Sequence, residues 1–390
     1  MDGQINTMYH FIRFFVRMAL KIYCSRIRVN DMGLLKLKGP LILASNHPNS
    51  FLDAIILASR FKEPVHFLAL GELTDQFLFR WIMEAFHIIP VYRLKDKNDN
   101  QDRNDKSFAI CVDVLLKDGI VLIFSEGVSE NNWLLRPIKK GTARIALAAI
   151  SLAQLQSSLR IQPVGLNYNS YNQPGKTVLI QFGEPILNKE ILTGNTEAEK
   201  MHVLNALLRE RLSETMLQTV NGREMAQFMI SNSPPLHSGQ IKKLQDKLNE
   251  ERNHTIFSKL KKPGYLISGT HTLLQCLILV LLLVIPAAMG WLSHVFLYYP
   301  VKFFVGGKTA RMLYYDSLLF TILFLLYPFY WIASNILAFL FFTNIWIQIL
   351  FICMPLLAWT TVYWKENGQR VRNYFILTIL ERNHLADYLS

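Results

Sequence analysis

Between residues 35 and 190, short runs of branched apolar residues alternate with stretches in which apolar positions recur every three or four residues. The first pattern marks strands and the second marks helices, and their alternation is that of an α/β domain. Strands are expected at 41–45, 65–69, 87–92, 120–125, 161–167 and 177–182, and helices at 51–61, 75–85, 106–118 and 141–156. Asp118-Gly119 offers C-cap chemistry to the third helix. Residues 93–106 are crowded with Lys, Asp and Asn and read as a solvated loop. From about 195 to 260 the pattern is polar and helical, interrupted by Pro234 and Pro235.

Residues 273–301 and 317–364 are then almost free of charge. The second stretch is long enough to cross a bilayer core of roughly 30 Å twice. Basic clusters flank both: Lys259, Lys261 and Lys262, then Lys302, Lys308 and Arg311, then Lys365, Arg370 and Arg372. The positive-inside tendency places all three clusters on one side. Two membrane-embedded hairpins meet that demand, the first (or a re-entrant segment) turning near Pro286 to Gly290 and the second near Thr343-Asn344. At the other end, residues 8–24 place Arg13, Arg17 and Lys21 four apart among Phe11, Phe14, Phe15, Met18 and Ile22. This describes a basic helix lying in a membrane interface, with a core-packing helix as the alternative. The expected organisation is a basic helix over 1–30, an α/β domain over 31–195, a helical linker region over 196–262, membrane-embedded hairpins over 263–372 and a tail over 373–390.

A net charge of +12 calls for a polyanionic partner, which is nucleic acid, an anionic lipid surface or a phosphorylated substrate. The long apolar segments favour membrane lipids, and no nucleic acid is expected. The four cysteines, Cys24, Cys111, Cys276 and Cys353, lie far apart and suggest neither a zinc site nor a disulfide framework. No H-E-x-x-H or Cys/His cluster points to a metal, and no G-x-S-x-G elbow points to a serine hydrolase. Gly306-Gly307-Lys308-Thr309 ends like a P-loop, but Lys302 stands where its first glycine is required.

Three segments carry candidate chemistry. In Asn46-His47-Pro48-Asn49-Ser50-Phe51-Leu52-Asp53 a strand ends in a polar turn with one histidine. Strand exits are where α/β folds place ligands. His47 is equipped to take a proton near neutral pH, and Asp53 to orient its ring. The alternative is that Ser50-x-x-Asp53 is a capping box and His47 an ordinary turn residue. In Phe124-Ser125-Glu126-Gly127-Val128-Ser129-Glu130, Glu126 is placed to bind hydroxyls and Gly127 to let backbone approach a ligand. Arg136, Lys139, Lys140 and Arg144 follow around a helix start that suits an anion or is simply a solvated basic turn. Finally, Phe86-His87-Ile88-Ile89-Pro90-Val91-Tyr92-Arg93 delivers one arginine at a strand end, where it can grip phosphate or serve as an ordinary strand-end residue.

In this order, over roughly residues 35–190, these blocks resemble the glycerolipid acyltransferase family. The matching blocks are Asn46-His47 to Asp53, the run ending at Arg93, Phe124-Ser125-Glu126-Gly127, and Gln162-Pro163-Val164-Gly165-Leu166-Asn167-Tyr168. The resemblance implies a mixed α/β sheet with flanking helices, followed by membrane-embedded C-terminal helices. It implies His47 as general base supported by Asp53, with Arg93 on the acceptor phosphate. Glu126, Gly127 and Ser129 then hold the acceptor, and Lys139 binds phosphate or stabilises the oxyanion. Two departures stand out: five residues rather than four separate His47 from Asp53, and Ser125 replaces the usual proline. The longer spacing is similar to the glycerol-3-phosphate and dihydroxyacetone-phosphate acyltransferase branch. The implied partners are an acyl thioester donor (acyl-CoA or acyl-carrier protein), a glycerol-phosphate acceptor and membrane lipids, with no cofactor or metal, and the catalytic domain on the cytoplasmic face. Acylation of lysophosphatidate uses the same residues and is the main rival. An amine acceptor or a catalytically silent lipid-binding protein is a more distant alternative.

Overall fold

The computed structural model describes residues 2–71, 86–92, 99–219, 223–232, 238–250, 270–309, 314–377 and 381. In chain order the elements are α1 (Asp2–Tyr23), β1 (Cys24–Val29), β2 (Leu41–Ser45), α2 (Phe51–Arg60), β3 (Val65–Leu70), β4 (Ile88–Val91), α3 (Asp99–Leu116), β5 (Ile120–Phe124), α4 (Gly141–Ile150), α5 (Ala153–Gln156), β6 (Arg160–Tyr168) and β7 (Lys176–Phe182). They are followed by α6 (Asn188–Ile191), α7 (Glu197–Ser213), α8 (Arg223–Asn232), α9 (Ser238–Glu250), α10 (Thr270–Thr309), α11 (Tyr315–Phe341), α12 (Ile345–Ile352) and α13 (Met354–Ile376).

The strands form one mixed seven-stranded sheet in the order β1-β7-β6-β2-β5-β3-β4, parallel except for the antiparallel β6–β7 pair. Strand β2 lies inside it, pairing with β5 on one side and β6 on the other. Its side chains alternate between two cores. Leu41 and Leu43 face the layer built by α1, α2, α8 and α9, while Ile42 and Ala44 face that of α3, α4 and α7. All four are completely buried, and each large aliphatic contributes about 1.5–3 kcal/mol by leaving water. The turn that follows Ser45 therefore leaves a strand that is paired on both sides and buried on both faces.

The structure corrects several expectations. Residues 99–106 are helical rather than loop. The polar pattern hid this because Asn104 and Ser107 turn inward to tether β4: Asn104 Nδ2 donates to the Tyr92 carbonyl and accepts at Oδ1 from the Tyr92 N–H, both at 2.7 Å. The helix expected over 141–156 breaks at Leu152, whose extended backbone lets α5 turn Leu155 into the core. Strand β1 was not anticipated, because Arg26 and Arg28 interrupt its apolar pattern at the sheet edge. At the end of α3, Asp118 rather than Gly119 takes the left-handed conformation (φ 55°). The helix expected at 75–85 lies outside the described residues.

The first apolar stretch is one continuous helix, not a hairpin: α10 runs through Pro286 and Pro300. Gly290 is a close-approach position instead of a turn, since a Cβ there would stand 2.1 Å from the Leu357 carbonyl oxygen of α13. Thr361 and Trp364 of α13 donate to the Ala287 and Val280 carbonyls at 2.9 Å each, so the two helices run antiparallel. The chain does turn at residues 342–344, where the Asn344 side chain caps α12. Both α10 and α11 are long and apolar enough to span a membrane, and α12 with α13 forms a pair bent by 65°.

Helix α1 also differs from expectation. Phe11, Phe14, Phe15 and Met18 are exposed, but Arg13 and Arg17 point at the protein. Arg13 donates to the Phe61 and Lys62 carbonyls at 2.8 and 2.6 Å, and Arg17 to the Ser59, Arg60 and Phe61 carbonyls. These carbonyls lie at the end of α2 and in the two residues just beyond it, where the last carbonyls of a helix lack intrahelical donors and cations suit the dipole. Arg17→Ala should lower the unfolding free energy by roughly 1.5–3 kcal/mol, the worth of charged hydrogen bonds, with Arg17→Lys recovering only part. Unfolding in detergent measures this, and an unchanged midpoint would remove the capping role.

Candidate active site

Strand β2 ends at Ser45, and the next eight residues form a turn closed by the first turn of α2. Asn46 extends the sheet with its side chain: Nδ2 donates to the Leu166 carbonyl (3.0 Å) and Oδ1 accepts from the Leu166 N–H (2.7 Å). His47 follows, its ring stacked on Phe124 at 3.9 Å between centroids. Its side chain is 17% exposed, whereas that of Asp53 is fully buried.

The Asp53 carboxylate collects three donors. Oδ2 lies 2.9 Å from His47 Nδ1 and accepts from the Asn49 N–H at 2.7 Å, while Oδ1 accepts from the Tyr168 hydroxyl at 2.6 Å. A hydrogen bond from Nδ1 leaves Nε2 as the basic nitrogen. The capping-box alternative fails: Ser50 makes no side-chain cap, and its N–H donates to Ser129 Oγ at 2.7 Å instead of to Asp53. The extra residue between His47 and Asp53 is accommodated by Ser50, which adopts φ 49°. Such a conformation in a residue with a Cβ costs on the order of 1–3 kcal/mol and persists only where its surroundings hold it.

The loop after β5 does part of that holding. Ser125 N–H donates to the Ser45 carbonyl (2.9 Å), Glu130 N–H to the His47 carbonyl (3.1 Å), and His47 N–H to Glu126 Oε2 (3.2 Å). The Glu126 carboxylate is buried and also receives Arg136, whose Nη2 donates to Oε2 at 2.9 Å and whose N–H donates to Oε1 at 3.2 Å. Gly127 has φ 74°, and a Cβ there would stand 3.0 Å from Lys139 Cγ. The Lys139 side chain is exposed at this edge of the site. His47, Asp53, Glu126, Gly127, Ser129 and Lys139 are thus gathered at one end of the sheet. Arg93 lies outside the described residues, directly after the β4 end that Asn104 clamps.

Sequence reasoning did not assign roles to Tyr168, Asn49, Lys176, Asp316 or Ser317. Asp316 carried a signal, as an acid at the start of an apolar helix. It is buried and paired with the fully buried Lys176. Among the described residues no group of three or more His, Cys, Asp or Glu side chains is placed to hold a metal.

A histidine held by a buried carboxylate at a strand exit of a mixed α/β sheet, beside a lysine-edged loop, is equipped to take a proton from a hydroxyl. Residues 26–167 match the family model described as Acyltransferase. This match covers about a third of the chain and marks an acyltransferase domain within it. It is similar to glycerol-3-phosphate O-acyltransferase 2 of Saccharomyces cerevisiae, 36% identical over 84 residues, a match spanning 22% of this chain and 11% of that protein. It is also similar to the crystal structure of the 1-acyl-sn-glycerophosphate (LPA) acyltransferase PlsC of Thermotoga maritima, with a TM-score of 0.37 and 15% identity over 53% of this chain and 79% of that one.

Burial, and then the Asp53 carboxylate, push the Tyr168 phenol well above its ordinary value of 10.0, so it remains a donor at neutral pH. Tyr23 and Tyr171 are raised in the same direction, chiefly by burial. An acid held neutral in the fold but free to ionise when unfolded contributes stability below the ordinary phenol value and loses it as pH rises beyond. Unfolding midpoints between about pH 8 and 11 should therefore fall steeply near the alkaline end. Tyr168→Phe should flatten that fall while lowering the midpoint at neutral pH. An identical alkaline slope in the variant would contradict the assignment.

Proposed function

We propose that this protein transfers a fatty acyl group from an acyl thioester, acyl-CoA or acyl-carrier protein, to a hydroxyl of glycerol-3-phosphate or dihydroxyacetone phosphate. The observation that carries the reading is the His47 Nδ1–Asp53 Oδ2 contact of 2.9 Å, which leaves Nε2 to act on a substrate at a partly open site. Nε2 takes the acceptor hydroxyl proton as the oxygen attacks the thioester carbonyl. The tetrahedral intermediate then expels the thiolate, which recovers that proton from the imidazolium, and no covalent acyl-enzyme forms. Asp53 faces the imidazolium throughout and stabilises its charge. Lys139 offers its ammonium to the acceptor phosphate or the developing oxyanion, and Arg93 supplies a second phosphate contact.

Glu126 has a different part in this reading. Its carboxylate is engaged by Arg136 and the His47 N–H, so it holds the base in place while Gly127 keeps the floor of the site free of a side chain. The apolar helices and the exposed aromatic face of α1 support a site at a membrane surface, and in this reading the catalytic domain lies on the cytoplasmic side, where product can pass into lipid.

Purified full-length protein in detergent, supplied with labelled acyl-CoA, should acylate glycerol-3-phosphate or dihydroxyacetone phosphate in preference to lysophosphatidate. The reverse preference would reassign the acceptor without disturbing the chemistry. His47→Ala should lower the rate by about 10²–10⁴-fold, the usual span for a lost general base, with its unfolding midpoint retained. Wild-type turnover in that variant would overturn the mechanism.

A further inference from the structure

The start of α11 reaches the catalytic turn through a continuous run of buried polar contacts. Asp316 Oδ2 accepts from Asn49 Nδ2 at 2.8 Å, and Asn49 N–H in turn donates at 2.7 Å to the same Asp53 oxygen that meets His47. Ser317 donates from Oγ to the Asn49 carbonyl at 2.8 Å and accepts from the Leu52 N–H at 3.1 Å, bridging the two sides of strained Ser50. Asp316 is held from behind by the Tyr23 hydroxyl at 2.6 Å and by Lys176. Asn49, Lys176, Asp316 and Ser317 are all shielded from water.

We infer that the first turn of α11 is part of the active-site scaffold, with Asp316 and Ser317 acting as positioning residues for the His47–Asp53 pair. The inference rests on the transferase reading and deepens it: the apolar C-terminal segment shapes the site as well as meeting lipid. The physical argument is one of constraint. Five residues separate His47 from Asp53, and a turn with φ 49° at Ser50 does not hold itself. Of the groups that tie down the stretch between them, the Asn49 amide, the Asn49 carbonyl and the Leu52 N–H all find their partners on Asp316 or Ser317. Removing those partners leaves the Asn49 carbonyl and Leu52 N–H buried and unbonded, and the turn is then free to relax by moving Asp53 away from Nδ1.

The position of Asp316 favours a positioning role over direct contact with the base. It touches Asn49, not His47, and its charge is matched by Lys176. Its effect on the base has to pass through Asn49 and Asp53, which predicts a loss in turnover with little change in substrate affinity.

Three full-length variants test this in detergent or lipid vesicles. Ser317→Ala deletes only the bridging hydroxyl and should lower kcat about five- to twentyfold, with KM for either substrate changed less than threefold. Asp316→Ala should cost more and also destabilise the protein, because Lys176 is left as an unpaired buried charge. Asp316→Asn combined with Lys176→Met balances the charge, and should regain the unfolding midpoint and part of kcat over Asp316→Ala. Labelling of His47 by diethyl pyrocarbonate, read on its peptide by mass spectrometry, reports the ring independently of turnover and should change severalfold in Ser317→Ala. Unaltered kcat and unaltered labelling in a folded Ser317→Ala protein overturn the inference. If His47→Ala is inactive in the same assay, that failure leaves the transferase reading standing; if His47→Ala is fully active, the transferase reading fails first.

Discussion

The Asp53 carboxylate is fully buried, and three groups converge on it with hydrogen bonds. His47 Nδ1, the Asn49 N–H and the Tyr168 hydroxyl reach it at 2.9, 2.7 and 2.6 Å. Burying a carboxylate is costly unless such donors are fixed in advance. Each comes from a different part of the fold: the strand exit, the turn and β6. The histidine is oriented because the aspartate is, and the aspartate is oriented because β2, β6 and the turn are locked together. Asn46 makes that lock explicit, continuing the β2–β6 ladder with its side-chain amide one residue past the end of the strand.

The same constraint explains why the loop after β5 is built as it is. The Glu126 carboxylate is drawn out of water by Arg136 and then offers an oxygen to the His47 N–H. Ser129 fixes Ser50 and Glu130 fixes the His47 carbonyl. Gly127 adopts φ 74°, a conformation that is strained for any residue with a Cβ, and a Cβ there would also press on the Lys139 stem. The parallel β2–β5 register brings the two loops side by side, aligning Ser45 with Phe124.

The pairing of His47 with Asp53 was legible in the sequence because polar residues at the end of an apolar strand break the pattern, and the strands other than β1 were placed to within a residue or two. What stayed hidden depends on partners far apart in the chain. Lys176 and Asp316 are 140 positions apart, and neither alone differs from a strand-end lysine or a helix-start acid. Ser50-x-x-Asp53 was ambiguous because a capping box and a turn that pairs histidine with aspartate use the same residue types; the contacts of Ser50 with Ser129 and of Asp53 with His47 separate them. The continuity of α10 was hidden for a related reason. Proline and glycine mark turns in water, but within apolar helices proline is tolerated by packing, and Gly290 serves contact with α13.

A charged pair at the base of an apolar helix is expensive, and its placement tells what the helix is doing. Asp316 could face water at the end of α11 at no cost, yet it is turned inward onto Lys176, Tyr23 and Asn49. Ion pairs buried this way are rarely net stabilisers compared with apolar packing, but they fix register, because a helix rotated by one residue would leave both charges unpaired. Register is what the neighbouring Ser317 requires if its hydroxyl is to meet the Asn49 carbonyl and the Leu52 N–H together. The Lys176–Asp316 pair therefore fixes the rotation of α11, and the first turn of α11 in turn holds the backbone on both sides of Ser50 in the turn that carries His47.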